Sequence, residues 1–178
     1  MADRFVVDAS VALAYLLEER GTAAVRSTVT QWTGVAAELL VPSHFWLEVT
    51  NSLTQRHAQP PAEVVADLVN LDELGLTTIE PDRPLLLLAL DRMVRSQLSA
   101  YDAIYLALAL ATESKLATLD RRLAEAAGTA GMLIGSTRVS EHRAAYRAVR
   151  EDYAGWSHTA IVGAHIAELR RKALAEAE

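Results

Sequence analysis

The sequence predicts an α/β fold with a mostly parallel sheet covered by helices. Two observations point there. Five short runs of strand-forming residues are separated by helical stretches, and none of the runs alternates cleanly between apolar and polar residues. Alternating β and α units build a parallel sheet flanked by helices. Strands without a period of two suit burial on both faces.

The strands are expected at Arg4–Val7, Leu39–Val41, Leu76–Ile79, Leu116–Leu119 and, more weakly, Met132–Ile134. Pro42 stops the second run and Glu80-Pro81 the third. A first helix, Ser10–Glu18, can start at a serine cap. Thr22–Trp32 follows Gly21, and Ser43 can cap Phe45–His57. Pro60-Pro61 opens a helix through Leu74 that Gly75 ends. Pro84–Ser96 and Ala100–Glu113 read as strongly apolar helices, and Arg121–Ala127 as a short one closed by Gly128. Past Gly135 the β/α alternation stops. Val139–Val149 and Ala160–Ala175 read as helices, so the expected division is a domain at 1–135 and a helical C-terminal extension at 136–178.

Composition narrows the classes. With 178 residues, 51% of them hydrophobic, the chain can bury a full core. It has no cysteine, which excludes disulfides, thiolate nucleophiles and cysteine-bound zinc, and suits a reducing cytoplasm. The first residues lack a long apolar run, which argues against a signal peptide. The run LLLLALDRMV from Leu85 is too short to span a bilayer. A net charge of −6 argues at first sight against a nucleic-acid partner. The acidity lies ahead of residue 131, however, and acids that hold divalent cations make formal charge a poor guide to local potential.

Four carboxylates carry the most information. In open α/β sheets, functional groups gather beyond the carboxyl ends of the strands. Asp8 ends the first strand in FVVDAS and Asp120 follows the fourth in LATLD. Glu48, in PSHFWLEVTNSL, lies on the first turns after the second strand, and Asp102 opens the helix of LSAYDAIYLALALA. Taken singly, each has a plainer role. Asp8 can cap the first helix, Asp120 can cap Arg121–Ala127, Asp102 can favour its own helix N-terminus, and Glu48 can be a solvated helix residue. Together they occupy equivalent places on one rim. Four such acids repel one another unless a hard cation joins them, and Mg²⁺ and Mn²⁺ prefer oxygen ligands.

FVVDASV, LEVTNSL, LSAYDAIYLALA and LATLDRRL, in this order and spacing, resemble the four acidic motifs of PIN-domain nucleases, most closely the VapC-type toxins of toxin–antitoxin systems. The resemblance covers about residues 4–135. It implies a three-layer α/β/α fold and Mg²⁺- or Mn²⁺-dependent cleavage of RNA. By position it makes Asp8, Glu48, Asp102 and Asp120 the catalytic and metal-binding acids. Ser10 and Thr118 match supporting hydroxyls, and Asn51 can support Glu48 from the same helix face. It further implies a homodimer and a small antitoxin partner, which often places a basic side chain in the acidic pocket. Two features depart from the pattern. Arg122 stands where some relatives carry a further acid, and the extension past Gly135 is additional.

Other features weigh less. His158 and His165 suit a surface better than zinc, and His44 suits a capping or surface role. Arg20, Arg26, Arg56, Arg92, Arg95, Arg121 and Arg122 are candidate RNA contacts, as is the stripe Arg143, Arg147 and Arg150. Tyr101 can stack on a base or join the core. Nucleophile-elbow, dinucleotide and P-loop motifs do not occur. A catalytically silent PIN-like protein-binding module is the main alternative. A phospho-receiver fits poorly, because an acceptor aspartate and a lysine fall in the wrong order.

Overall fold

The computed structural model describes residues 3–17 and 22–134. The helical extension expected at 136–178, with its arginine stripe, His158 and His165, lies outside the described residues, as does Arg20. The elements run β1 (Arg4–Val7), α1 (Ala9–Leu16), α2 (Thr22–Gly34), β2 (Glu38–Pro42), α3 (His44–Asn51), α4 (Pro61–Asp72), β3 (Thr77–Ile79), α5 (Arg83–Ser96), α6 (Ala100–Ala111), β4 (Lys115–Thr118), α7 (Arg121–Ala127) and β5 (Gly131–Leu133). A π-helical turn at Ser52–Arg56 continues α3, and a 3-10 turn at Gly128–Ala130 links α7 to β5.

The five strands are all parallel, in the order β3-β2-β1-β4-β5. Moving from β1 to β2 to β3 walks one way across the sheet. The next connection jumps back past β2 and β1 to β4. Right-handed crossovers therefore place α1–α4 on one face and α5–α7 on the other, giving three layers. Packing agrees: α1 meets α2 and α3, while α6 meets α5 and α7 and lies across β1, β2 and β4.

Burial explains why alternation was absent. In β1, β2 and β4 every residue after the first is buried. The edge strands β3 and β5 are short and hold no buried residue, since each has a neighbour on one side only. Helix α6 is the centre of its layer, with Ala103 through Ala109 all buried. From the opposite layer, Phe45, Val49 and Leu53 are fully enclosed. Helix α5, strongly apolar as expected, is only partly covered. It buries Leu85 and Ala89 but leaves Leu86, Leu87, Leu90 and Val94 exposed. No helix among the described residues is long and apolar enough to cross a membrane.

Neither expected serine makes a side-chain cap bond. Asp8, not Ser10, occupies the cap position of α1, and it makes no side-chain cap bond. Ser43 precedes α3 but its hydroxyl donates to Glu80 Oε2 at 2.8 Å. Both side chains are recruited by other strands' ends, which offer charged acceptors. The Pro61 start of α4 and the left-handed Gly75 after it (φ 70°) stand as expected.

Gly131 opens β5 hard against α7, where an added Cβ would run into the carbonyl oxygen of Ala124. Backbone on backbone leaves no rotamer to give way. Gly131→Ala is expected to cost about 1–3 kcal/mol, read as a lowered urea midpoint. An unchanged midpoint would show that β5 can move off α7 freely.

Candidate active site

The sheet order reverses between β1 and β4, and that is where an open α/β sheet leaves a crevice at its carboxyl edge. Asp8 follows β1 directly, and Asp120 lies two residues past β4. Register sets their relation. Val7 pairs with Ala117, and the Asp8 amide donates to the Ala117 carbonyl at 3.0 Å, which brings Asp8 alongside Thr118.

Two hydroxyls bind the strand tips together. Thr118 Oγ1 donates to Asp8 Oδ2 at 2.7 Å and accepts from the Asp120 amide at 2.9 Å. Ser10 Oγ donates to the same Asp8 oxygen and accepts from the Leu119 amide at 3.1 Å. Both supporting hydroxyls thus stand where the sequence placed them. Because both donors use Oδ2, Asp8 Oδ1 has no hydrogen bond among the described residues. Asp120 spends Oδ1 on the Arg122 and Leu123 amides, at 2.7 and 3.3 Å, and so caps α7. That cap role is real, and it leaves Oδ2 for another partner.

The other two acids come from helices on opposite layers. Asp102 is held by Ser99, which caps α6. Ser99 Oγ donates to Asp102 Oδ2 at 2.8 Å and accepts from the Asp102 amide at 3.1 Å. Glu48, on α3, accepts from the Tyr105 hydroxyl at 2.8 Å. Tyr105 is fully buried on α6, so this bond ties the two layers across the rim. Sequence reasoning assigned that support to Asn51 and overlooked Tyr105. Asn51 is exposed and makes no side-chain hydrogen bond among the described residues. The available signal was a hydroxyl three residues past Asp102, inside the aliphatic run of that helix. His44 also differs from expectation: it is neither cap nor surface. Its Nε2 is buried without a hydrogen bond, 3.9 Å from Glu48 Oε2.

Electrostatics shows that the four acids share one field. The Asp8 carboxyl is pushed up from 3.8 to about 6, chiefly by burial, against the pull of its two hydroxyl partners and with added repulsion from Asp102 and Asp120. Glu48 rises from 4.5 to about 7, again first by burial, then by the charges of Asp8 and Asp102, with the Tyr105 bond opposing. Tyr105 is held well above its ordinary value by burial and by the Glu48 and Asp8 charges. Burial lowers His44, so no imidazolium offsets Glu48 near neutral pH.

Several expected cations serve elsewhere. Arg92 and Arg95 both pair with Asp91, at 3.0 and 2.6 Å. Arg26 donates to the Tyr15 carbonyl, and Arg122 to the Gln97 carbonyl. Arg122, at the place of the missing acid, thus fastens α7 to the α5–α6 turn.

The donor set fits a hard cation in kind: it is all oxygen, and Asp8 and Asp120 each keep one carboxylate oxygen unspent. Among the described residues, no three Asp, Glu or His side chains converge into a ready-made ion cage. A hydrated Mg²⁺, which takes one or two carboxylates directly and keeps its waters, suits that wider spacing.

Fold and rim together define a class: a doubly wound, all-parallel α/β domain with an acidic site at its β1–β4 switch point. The PIN domain profile matches residues 5–129, and the chain belongs to the PIN-domain family. Among solved structures, a protein of Pyrobaculum aerophilum is 23% identical with a TM-score of 0.54, over 71% of this chain and 81% of that one. VapC20 of Mycobacterium tuberculosis, a sarcin-ricin loop cleaving toxin, is 18% identical with a TM-score of 0.56, over 70% and 95%. VapBC2 of Rickettsia felis, bound to a DNA fragment from its promoter, gives 8% and 0.59, over 73% and 96%. The fold is therefore the one seen in VapC toxins. No curated protein matches the chain.

The raised carboxyls fix a pH dependence. Asp8 and Glu48 keep protons in the folded chain that the unfolded chain has already released. Unfolding therefore releases protons between the ordinary carboxylate range and about pH 7, and stability falls as pH rises through that window. Protein in EDTA is expected to melt lower at about pH 8 than at about pH 5; a flat or rising profile contradicts the raising of Asp8 and Glu48 by burial. Thr118→Val removes a donor from Asp8 and an acceptor from the Asp120 amide together. Chemical denaturation should register a loss of about 1–3 kcal/mol, and a neutral result would show the strand tips are joined by other means.

Proposed function

We propose that this chain is a metal-dependent endoribonuclease, the toxin of a toxin–antitoxin pair. The observation that carries the reading is the gathering of four carboxylates on one rim, two of them lifted toward neutrality by burial and mutual charge. A rim that repels itself gains most from a divalent cation. Membership of the PIN-domain family and the VapC-like fold support the same reading.

In this reading Asp8, Glu48, Asp102 and Asp120 hold Mg²⁺ or Mn²⁺. The bound ion supplies an activated water and offsets charge on the phosphoryl group. Ser10 and Thr118 fix the Asp8 carboxylate so that Oδ1 faces the site. Tyr105 fixes Glu48, and Ser99 fixes Asp102. Asn51, exposed three residues past Glu48, is open to substrate or water contacts. The protein works as a cytoplasmic homodimer and is silenced by a small antitoxin, whose basic side chain would satisfy the same acids that a cation does.

The test is cleavage of a panel of structured RNAs with Mg²⁺ or Mn²⁺, with EDTA, and beside Asp8→Asn and Asp102→Asn. Metal-dependent cuts at discrete positions are expected from the wild type. Each variant should lose at least about 100-fold in rate, the scale on which electrostatic groups at reacting centres act, while keeping its fold. Calorimetric titration with Mn²⁺ separates the alternative, a silent protein-binding module. Saturable binding that weakens in Asp102→Asn supports the enzyme, and no binding at millimolar metal supports the module.

A further inference from the structure

Tyr101 is the residue before Asp102, at the start of α6, and its ring is 53% exposed. It is the only exposed aromatic side chain among the described residues. Every other described Phe, Trp or Tyr is buried or partly buried. A lone exposed tyrosine is ordinary in itself; what sets this one apart is its place beside the acidic rim and the ring behind it. The ring does not hang free. Its centroid lies 5.6 Å from that of His44, which in turn lies edge-on to Tyr105 at 4.9 Å. His44 and Tyr105 both adjoin Glu48. Tyr101 therefore stands on a buttress continuous with the acid site, fixed on one side and open on the other.

We infer that Tyr101, backed by His44, is a stacking platform that takes an unpaired base of the RNA next to the scissile phosphate. The inference rests on the ribonuclease reading above and deepens it, by naming the side chain that would hold a base beside the acidic site. Proteins that read RNA by sequence or shape hold unstacked bases on aromatic faces, and a base on a fixed ring loses little further entropy. A duplex offers no such face except at its ends. The platform thus selects unpaired RNA without any hydrogen bond to a base edge. It also places the phosphate adjoining the stacked base toward Asp102.

The experiment is fluorescence anisotropy with a labelled single-stranded RNA about twelve nucleotides long, spanning the site size of common single-strand binders, and with the same strand in duplex form. The full chain is used, with Ca²⁺ to neutralise the rim. Wild type should prefer the single strand. Tyr101→Ala should weaken single-strand binding about tenfold, within the range that loss of one base–aromatic stack produces, and leave duplex binding unchanged. Tyr101→Phe should keep wild-type affinity, because the ring and not the hydroxyl carries the contact. Equal single-strand affinity in wild type and Tyr101→Ala overturns the platform while leaving the nuclease reading standing. A parallel loss on single strand and duplex overturns it too, since that pattern marks a general change in the rim. Wild type that binds neither strand overturns the ribonuclease reading, and this inference with it.

Discussion

A carboxylate buried at the tip of the innermost strand is the constraint around which this molecule is arranged. Asp8 is 7% exposed, flanked by strands on both sides and covered by helices above and below. An isolated ionised carboxyl in such a place is prohibitively expensive, and burial raises its pKa accordingly. The fold answers with two hydroxyls from two different elements. Each hydroxyl donates to Asp8 and simultaneously accepts a backbone amide from the β4 end. The two hydroxyls and Asp8 Oδ2 are each used twice, so the β1 and β4 tips are held in register by the same bonds that solvate the charge. Hydrogen bonds to charged groups contribute about 1.5–3 kcal/mol each, enough to soften the burial cost but not to abolish it. The remaining imbalance is what a cation would remove.

The same logic runs outward to the other acids. Each is held by a donor within the fold: Ser99 for Asp102, Tyr105 for Glu48, and the α7 amides for Asp120. Structural and chemical roles are therefore not alternatives at these positions. Asp120 is a helix cap and a rim acid at once, because a carboxylate has two oxygens and a cap needs one. Tyr105 is the least replaceable of the supports. It lies in the fully buried stretch of α6 and reaches across the sheet edge to α3, so the relative placement of Glu48 and Asp102 depends on the packing of two opposite layers.

The strands were legible to within a residue or two at each end because their runs of Val, Leu, Ile and Phe are bounded by Pro, Gly or a carboxylate. The acids were legible because each stands out against apolar neighbours. The supports of Glu48 were harder to read. Asn51 is three positions along the same helix, which makes it an obvious partner on a helical wheel, yet the end of α3 turns it to solvent. Tyr105 is 57 residues away, and no periodicity connects it to Glu48. The serine caps failed for a related reason. Ser10 falls inside α1 and Ser43 makes no cap bond, because each hydroxyl is aimed at a carboxylate, Asp8 and Glu80 respectively, and not at the first amides of its helix.

The sequence by itself determined the order and type of the elements, and where along them four conspicuous acids and the hydroxyls of Ser10 and Thr118 fall. These follow from local chemistry: hydrophobic period, chain punctuation and the conspicuousness of a charge in an apolar run. Only the tertiary structure decided the strand order, with β1 between β2 and β4, and hence which tips face each other. It alone decided that Tyr105 and not Asn51 braces Glu48, that Arg92, Arg95 and Arg122 are committed to partners within the domain, and that Tyr101 stands open against His44. Those outcomes depend on contacts between residues far apart in the chain, whose geometry is set by the packing of two helical layers on one sheet and leaves no mark in any local stretch of residues.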